Sequence, residues 1–432
     1  VFLCGPAQHF QRVQRPDSEM YLELADNLVK YQTFGRDADR GRTVEAVGRL
    51  RDANGTRPPK DAHGLWPDSV RTPGYPVFLM LGSATGQHYS SVLLQLLFGV
   101  ITCGLVMSLI HQRINSSGGA LFAGLVWALH PAIVCADHIL LTENVFNFLL
   151  ALSLWCSCRQ AGLANIVLAA LLLGAMTLVR PVGPVYLPLA LWVAWPHWKR
   201  KWLAVPVFVG LALLPSLLWA ARNQAVGEGF RVSVVGEWNL AFYQAAYATS
   251  EERGEDWLAK WPTRVSEMEA KLQARVQPGE DVIAASAKLG IEEIKQRPVA
   301  FARAFVKSSG KLWLDHSLGD AAELVGFAYR PSGIVSRLLL RQPTEGEATN
   351  VWQVCLVLLW LGSNLFLFLL LLRGLVIHLR RREWWVLLAL GLTLAGNMAG
   401  VGLIGAERFR VPMMLPMLLL LTIGPRLTEP KA

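Results

Sequence analysis

Acidic residues that border apolar segments are the first candidates for chemistry in this sequence. Asp17-Ser18-Glu19 stands just before the apolar run 22–28. A carboxylate at such a place could act as a general base and take the proton of an attacking hydroxyl group. Asp17 could equally be the N-cap of a helix, whose side chain accepts a backbone N–H at the helix start. The residue types are compatible with both roles.

A second polar group comprises Asp137-His138, Glu143-Asn144 and Asn147. On a helix Glu143 and Asn147 are four residues apart and Asn144 and Asn147 are three apart, so they form one polar stripe. Ionisable groups at membrane depth are costly, which makes Glu143 and Asp137 functional candidates. The alternative is that the amides join helices by hydrogen bonds, and this explains Asn147 better than Glu143. Asp137 and His138 lack further ligands at metal-site spacing, so we predict no metal site.

Five arginines flank apolar segments in short motifs. They are Arg71 in R-T-P-G-Y-P, Arg180 in V-R-P-V-G-P, Arg222 in A-A-R-N, and Arg408 and Arg410 in E-R-F-R-V-P. A guanidinium can hold a phosphate through two parallel hydrogen bonds. Each arginine alone could simply extend its charged end towards water from an apolar surface. Their number favours a binding site for an anionic phosphate.

Composition indicates where these residues must be placed. The chain has 432 residues, of which 53% are hydrophobic and 17% charged, whereas soluble domains have about 25% charged residues. This argues against a single soluble enzyme. The 41 Lys and Arg exceed the 32 Asp and Glu, but they form short clusters between apolar runs, so we do not expect a nucleic acid partner. The 16 Trp residues fit anchoring at a membrane interface.

Long apolar segments predict a bundle of membrane-spanning helices. A span needs about 20 mostly apolar residues, and nine segments qualify or nearly qualify: 91–111, 118–136, 140–158, 163–179, 183–196, 203–221, 351–372, 384–404 and 409–424. Residues 1–10 could be the tail of a truncated first helix, and the shorter segment 76–86 fits a helix at the interface. Because helices satisfy their own backbone in lipid, the predicted class is an all-α polytopic membrane protein of about nine to eleven spans.

The distribution of Lys and Arg predicts the orientation of the bundle. Short loops with Arg113, Arg159, residues 199–201, Arg373 and residues 380–382 alternate along the chain, and such loops lie on the cytoplasmic side. The other loops, which carry the acidic and arginine motifs, then share the outer face. The predicted first outer loop, with the catalytic Asp and interfacial helices, is 1–90, and transmembrane helices follow at 91–221. An extracytoplasmic helical region is predicted at 222–350, C-terminal transmembrane helices at 351–424 and a cytoplasmic tail at 425–432.

Two outer segments have their own patterns. Segments 251–276 and 284–314 alternate charged and apolar residues at helical spacing, and Pro262, Pro278 and Pro298 are predicted breaks between helices. Segment 35–70 is rich in Arg, Asp, Gly and Pro and is predicted as a long loop.

In their order along the chain, these motifs resemble those of the GT-C glycosyltransferases. The resemblance includes the outer-loop Asp followed by an aromatic residue, R-T-P-G-Y-P, T-E-N, V-R-P, A-R-N and R-F-R-V-P. It is greatest for the bacterial branch related to protein O-mannosyltransferases and the lipid A aminoarabinose transferase, and it extends from Pro16 to about Pro416. It implies a GT-C-like bundle in a bacterial inner membrane whose active site faces the periplasm.

The resemblance implies roles for individual residues. It carries the acidic residue of the first outer loop onto Asp17, with Glu19 two residues on, and the second acidic position onto Glu143 or Asp137. The donor-phosphate contacts correspond to Arg71, Arg180 and Arg408, and we add Arg222 and Arg410 as candidates. The predicted substrate pocket contains the neighbouring polar and aromatic residues Tyr21, Tyr75, His138 and Asn144.

The implied reaction transfers a sugar from a polyprenyl-phosphate-linked donor. Membrane lipids are further expected partners of the protein. Such a donor already has a good leaving group, so one carboxylate suffices as the base, and arginines stabilise the departing phosphate. No cofactor is firmly implied, and a divalent cation stays open, as do the donor sugar and the acceptor. The alternative function is a transporter or flippase for a lipid-linked or anionic solute, which would use the same arginines for binding alone.

Overall fold

The computed structural model describes residues 10, 12–86, 88–159, 162–198, 200–314, 351–401 and 407–421. Within these ranges the chain is helical except for loops and one antiparallel pair of two-residue strands, β1 (Gly35–Arg36) and β2 (Trp66–Pro67). The predicted helical class is therefore confirmed for the described residues. The suspected helix at residues 1–10, apart from Phe10, and the tail 425–432 lie outside them.

The first region contains three helices, α1 (Pro16–Tyr31), α2 (Arg42–Ala53) and α3 (Gly74–Ala84). The prediction of a long loop at 35–70 is wrong, because this segment includes α2 and both strands. Apolar residues at helical spacing explain α2, since its buried face contains Ala46, Val47 and Leu50. Segment 76–86 was predicted as a helix too short to span a membrane, and it lies largely within α3.

The apolar helices form one large core. They are α4 (Tyr89–Ile114), α5 (Ser117–Leu129), α6 (Pro131–His138), α7 (Glu143–Ser157), α8 (Leu163–Val179), α9 (Leu187–Ala194) and α10 (Lys201–Ala225), with short 3-10 turns at Gly183–Tyr186 and Trp195–His197. After the outer region, the same core is completed by the helices that we number α16 (Val351–Arg380), α17 (Trp384–Val401) and α18 (Met414–Leu420), with a 3-10 helix at Glu407–Met413 before α18.

Three described helices are long and apolar enough to cross a membrane: Tyr89–Ile114, Lys201–Ala225 and Trp360–Arg380. A fourth span results if α5 and α6 are counted together, although they are bent by 58° at His130. Predicted span 118–136 is thus broken, because Pro131 cannot continue the hydrogen-bond ladder of α5. The predicted count of nine or more spans is not confirmed. Apolar side chains such as Val100 (71% exposed) and Leu218 (62%) form the surface that lipid would contact.

The outer region packs around a second, smaller core. The outer region comprises α11 (Val235–Asn239), a π-helix (Leu240–Ala245), α12 (Ala246–Glu252), α13 (Trp257–Gln273), α14 (Val282–Gln296) and α15 (Pro298–Leu314). Pro278 and Pro298 mark helix boundaries as predicted, but Pro262 lies inside α13. Burial of Val265, Met268 and Leu272 on one face stabilises α13 despite the backbone hydrogen bond that proline cannot make.

Helix α1 lies between the two cores. Tyr21 and Ala25 belong to the core of the apolar bundle, whereas Met20 belongs to the core of the outer region. The first turn of α1, with Asp17, is therefore positioned at the boundary between the two packing units.

Candidate active site

The start of α1 shows that Asp17 does not cap the helix. Arg15 is the N-cap, and its backbone N–H donates to Ser18 Oγ at 2.9 Å. Ser18 Oγ in turn donates to the carbonyl of Leu140 at 2.7 Å, which ties α1 to the loop before α7. Asp17 is the second residue of the helix, so the N-cap alternative for it is wrong. Its carboxylate is available for other partners.

Both carboxylate oxygens of Asp17 meet an arginine. Arg71 Nη2 donates to Oδ1 at 2.6 Å, and Arg408 Nη2 donates to Oδ2 at 2.9 Å. Burial alone would raise the pKa of the Asp17 carboxyl, but the charges and hydrogen bonds of Arg71 and Arg408 outweigh burial and hold the pKa at about 2. Since 32% of the Asp17 side chain is exposed, the carboxylate is also accessible to a substrate.

The R-T-P-G-Y-P turn places Arg71 by docking on the end of α8. Thr72 Oγ1 donates to the carbonyl of Val179 at 3.2 Å. A Cβ at Gly74 would lie 2.7 Å from the backbone of Leu178, so only glycine permits this approach. The backbone N–H of Arg71 donates to Asp68 Oδ1 at 2.7 Å. The turn therefore brings Arg71 beside the end of the helix that is followed by Arg180.

A second carboxylate–arginine pair lies next to the first. Arg180 Nη1 is 2.6 Å from Glu143 Oε1 and also donates to Thr142 Oγ1 at 3.2 Å. Glu143 is the first residue of α7, where the helix N-terminus favours a negative charge. Its side chain is only 3% exposed, in contrast to that of Asp17. The Glu143–Arg180 pair is therefore buried, whereas the neighbouring Asp17 carboxylate is partly exposed.

Aromatic rings connect the two pairs. The Phe409 ring lies 4.9 Å from the Arg408 guanidinium and 5.4 Å from that of Arg180. The Tyr21 ring lies 5.0 Å from the Arg71 guanidinium and meets the Tyr75 ring edge-on at 5.0 Å. Three arginines thus surround two carboxylates in one aromatic-lined place. This leaves one unit of excess positive charge, which suits an anionic ligand.

Asp137 and His138 make hydrogen bonds to different partners. Asn144 Nδ2 donates to Asp137 Oδ1 at 2.5 Å, whereas His138 Nδ1 lies 2.8 Å from a carbonyl of its own helix. Gln95 holds the end of this helix through three backbone carbonyls and receives a hydrogen bond from Tyr75. Asp137, His138 and Asn144 therefore have local partners. No group of three or more potential metal ligands occurs among the described residues.

Three further candidates lie outside the cluster. Glu19 is 60% exposed and its carboxylate is 3.9 Å from Arg40. Arg222 donates to two backbone carbonyls of the first region at 2.9 and 3.0 Å. Arg410 is almost fully buried and donates to the carbonyl of Trp313 at 2.7 Å. The two arginines thus donate to backbone carbonyls, whereas the other three arginines pair with carboxylates.

The sequence analysis missed Tyr243 in the outer region. Tyr243 lies on the π-helix, and its ring packs against Trp261 at 5.2 Å. Burial raises the pKa of Tyr243, and the charges of Asp17, Arg71 and Arg408 also act on its hydroxyl. The residue is therefore within electrostatic reach of the cluster. A π-helix often occurs at a functional site, but the sequence pattern does not distinguish it from an α-helix.

The fold of this chain is similar to two solved structures, the crystal structures of ArnT from Cupriavidus metallidurans in the apo state and bound to undecaprenyl phosphate. The sequence identities are 13% and 14%, and the alignments cover 96% and 97% of this chain and 75% and 76% of the ArnT chains. The TM-scores are 0.34 and 0.35. No family model and no curated protein matches this sequence.

Proposed function

We propose that this chain is a membrane glycosyltransferase that moves a sugar from a polyprenyl-phosphate donor to an acceptor hydroxyl. The observation that carries the proposal is the partly exposed Asp17 carboxylate, which binds Arg71 and Arg408 and lies beside the Glu143–Arg180 pair. The Asp17 carboxylate, as the base, and an excess of arginines then lie together at the boundary between the apolar bundle and the outer region.

The arginines would bind the donor phosphate and stabilise it as it leaves. A sugar phosphodiester gains negative charge on its phosphate when the bond to the sugar breaks. Guanidinium groups that are already positioned stabilise such developing charge without reorganising, and removing one such donor typically costs 10²–10³-fold in rate. Arg71 and Arg408 are 18% and 33% exposed, so both can reach a bound phosphate.

Asp17 would be the general base. The acceptor hydroxyl gives its proton to the Asp17 carboxylate while its oxygen forms a bond to the anomeric carbon of the sugar. The bond from that carbon to the phosphate oxygen breaks, and polyprenyl phosphate leaves with both bonding electrons. This single displacement inverts the anomeric centre. Assistance by such a base is typically worth 10²–10⁴-fold.

The pKa of Asp17 suggests that donor binding activates the base. A carboxyl whose pKa is about 2 is a weak proton acceptor near neutral pH. A donor phosphate would compete with Asp17 for the hydrogen bonds of Arg71 and Arg408. Their partial release from Asp17 would raise its pKa, so the base would become effective only when the donor is in place.

The finer assignments belong to the same proposal. We place the site on the periplasmic face of a bacterial inner membrane, with lipid, glycan or protein as the acceptor. The sugar could be a hexose, a pentose or an aminosugar, and a divalent cation could assist the phosphate. These choices follow from the resemblance and from the distribution of Lys and Arg.

The test is a turnover assay with the purified chain in detergent. A panel of polyprenyl-phosphate sugars would be offered with a membrane extract as the acceptor source, and released polyprenyl phosphate would be measured by mass spectrometry. We expect Asp17→Asn to lower the release by about 10²–10⁴-fold. The matched control is Glu19→Gln, which removes a carboxylate two residues away that has no contact with the cluster and should keep normal turnover.

Binding measurements separate catalysis from transport. Asp17→Asn should still bind the donor lipid, because Arg71, Arg180 and Arg408 remain. Normal turnover by a folded Asp17→Asn variant would contradict the role of Asp17 as base. Donor lipids that bind without being consumed, with every acceptor fraction offered, would favour a transporter instead.

A further inference from the structure

A groove opens on the apolar bundle at the end opposite to the Asp17 cluster. It lies between the end of α4, the start of α5, the second half of α16 and the end of α18. Its volume is about 170 Å³, and Ile110, Phe122, Leu370 and Leu418 line its walls. A cavity of about 150 Å³ can hold a benzene molecule, so this groove can take a stretch of hydrocarbon chain.

Close helix packing maintains the floor of the groove. A Cβ at Gly374 would lie 2.6 Å from the carbonyl oxygen of Leu420, so α16 and α18 touch through their backbones. His378 Nε2 lies 3.2 Å from the same carbonyl. The groove is therefore built into the contact between two helices and does not depend on the rotamer of one surface side chain.

One positive charge borders the groove. Arg373 is its only charged lining residue, is exposed, and pairs with no carboxylate in the described part of the chain. The neighbouring arginine Arg113 is different, because it donates to the carbonyl of Val193 and covers the ring of Trp192. Arg373 therefore remains available to an anion outside the protein.

The start of α5 adds a second attraction for an anion. Gly119, which lines the groove, lies in the first turn of α5 after the N-cap Ser116. The N–H of Gly119 is already paired, because it donates to Ser116 Oγ at 3.1 Å, but the helix dipole still places partial positive charge at this end. A phosphate near Arg373 would thus also face the positive end of a 13-residue helix.

We propose that this groove binds one phospholipid with an anionic headgroup, whose phosphate meets Arg373 and whose acyl chain enters between Phe122, Leu370 and Leu418. The combination of an apolar channel with a single unneutralised charge at its edge distinguishes such a lipid from a zwitterionic one. The groove is lined by all four helices, so the lipid would contact α16 and α18 as well as α4 and α5.

The test compares two lipids with identical acyl chains. The purified full chain in detergent would be titrated with phosphatidylglycerol and with phosphatidylcholine, and bound lipid would be counted by native mass spectrometry. One Arg near a lipid surface contributes about a fivefold preference for the anionic lipid. We expect that preference in the unmodified chain, its loss in Arg373→Gln, and its retention in Arg373→Lys.

The matched control is Arg303→Gln, which removes the same charge from an exposed position on α15 in the outer region and should leave the preference unchanged. Ala123→Phe, which fills the groove, should weaken the binding of both lipids. Equal affinity for the two lipids in the unmodified chain would overturn the proposal, and so would a preference that survives in Arg373→Gln. No lipid retained by the full chain would point to another occupant, such as residues 422–432.

Discussion

Two clusters of carboxylates and arginines lie close together in this protein, yet they differ in charge and exposure. In the outer cluster Asp68 is fully buried beside Arg36, and Glu228 is paired with Arg51 at 3.1 Å and with Ser69 at 2.6 Å. Asp39 extends this cluster, because it pairs with Arg57 at 2.8 Å and lies 3.8 Å from Arg36, so three arginines there balance three carboxylates. In the inner cluster three arginines surround Asp17 and Glu143, and Asp17 is 32% exposed.

The difference shows how the same residue types serve two purposes. A buried and balanced network satisfies its own charges and leaves none for a ligand, so its contribution is structural. In the inner cluster the carboxylates are paired, but one positive charge of the three arginines stays uncompensated until an anion binds. The two clusters are joined, because Asp68 also accepts the backbone N–H of Arg71, and the structural cluster thereby positions a residue of the proposed active site.

After Asp17→Asn itself, the largest effect is expected from loss of an arginine of the inner cluster. Arg408→Gln should lower turnover by about 10²–10³-fold, because it removes one group that stabilises the leaving phosphate. The measurement is the polyprenyl phosphate release described above, with thermal unfolding followed in parallel. Unchanged turnover would remove Arg408 from the site and weaken the contrast between the clusters.

The outer cluster should respond in stability instead. Glu228→Ala leaves Arg51 and Ser69 without their partner, and breaking a buried pair costs about 3 kcal/mol. The melting temperature in detergent should fall clearly, whereas turnover of the protein that stays folded should remain within about threefold. A large loss of turnover at unchanged stability would mean that the outer cluster also takes part in the reaction.

The pH dependence tests whether the donor changes the inner cluster. In the free protein the Asp17 pKa of about 2 keeps the base ionised at every pH above about 3. If donor phosphate draws Arg71 and Arg408 away, the pKa rises in the complex. The acid limb of kcat should therefore lie at a higher pH than that of kcat/KM, which reports the free enzyme. Coinciding limbs would argue against competition for the arginines.

The smallest effect is expected at Asp137. Asp137→Asn keeps an oxygen that can accept the hydrogen bond of Asn144, so turnover should stay within about fivefold and the melting temperature should change little. A loss comparable to that of Asp17→Asn would show that Asp137 takes part in the chemistry, and the site would then extend beyond the two pairs.

Much of the architecture follows from local sequence patterns. Apolar length predicted α4, α8 and α10 nearly to their ends, and helical spacing predicted α13, α14 and α15 of the outer region but not the helices before them. The pattern failed at segment 118–136, where Pro131 breaks the helix, and at 35–70, where α2 forms because the outer core covers its apolar face. Composition had suggested a loop there, since the partner of that face is distant in the chain.

The sequence by itself determined which residues could do chemistry here: a carboxylate before an apolar helix, arginines at helix ends, and motifs in an order that resembles one enzyme class. Only the tertiary structure decided which of them meet. Asp17 and Arg408 are 391 residues apart, and residue type and spacing alone do not distinguish Arg408 from Arg410 or Arg71 from Arg222, which only the family resemblance separated. Packing of the helices separates them, because each guanidinium binds whatever acceptor the fold brings within reach, a carboxylate for Arg71 and Arg408 and backbone carbonyls for Arg222 and Arg410.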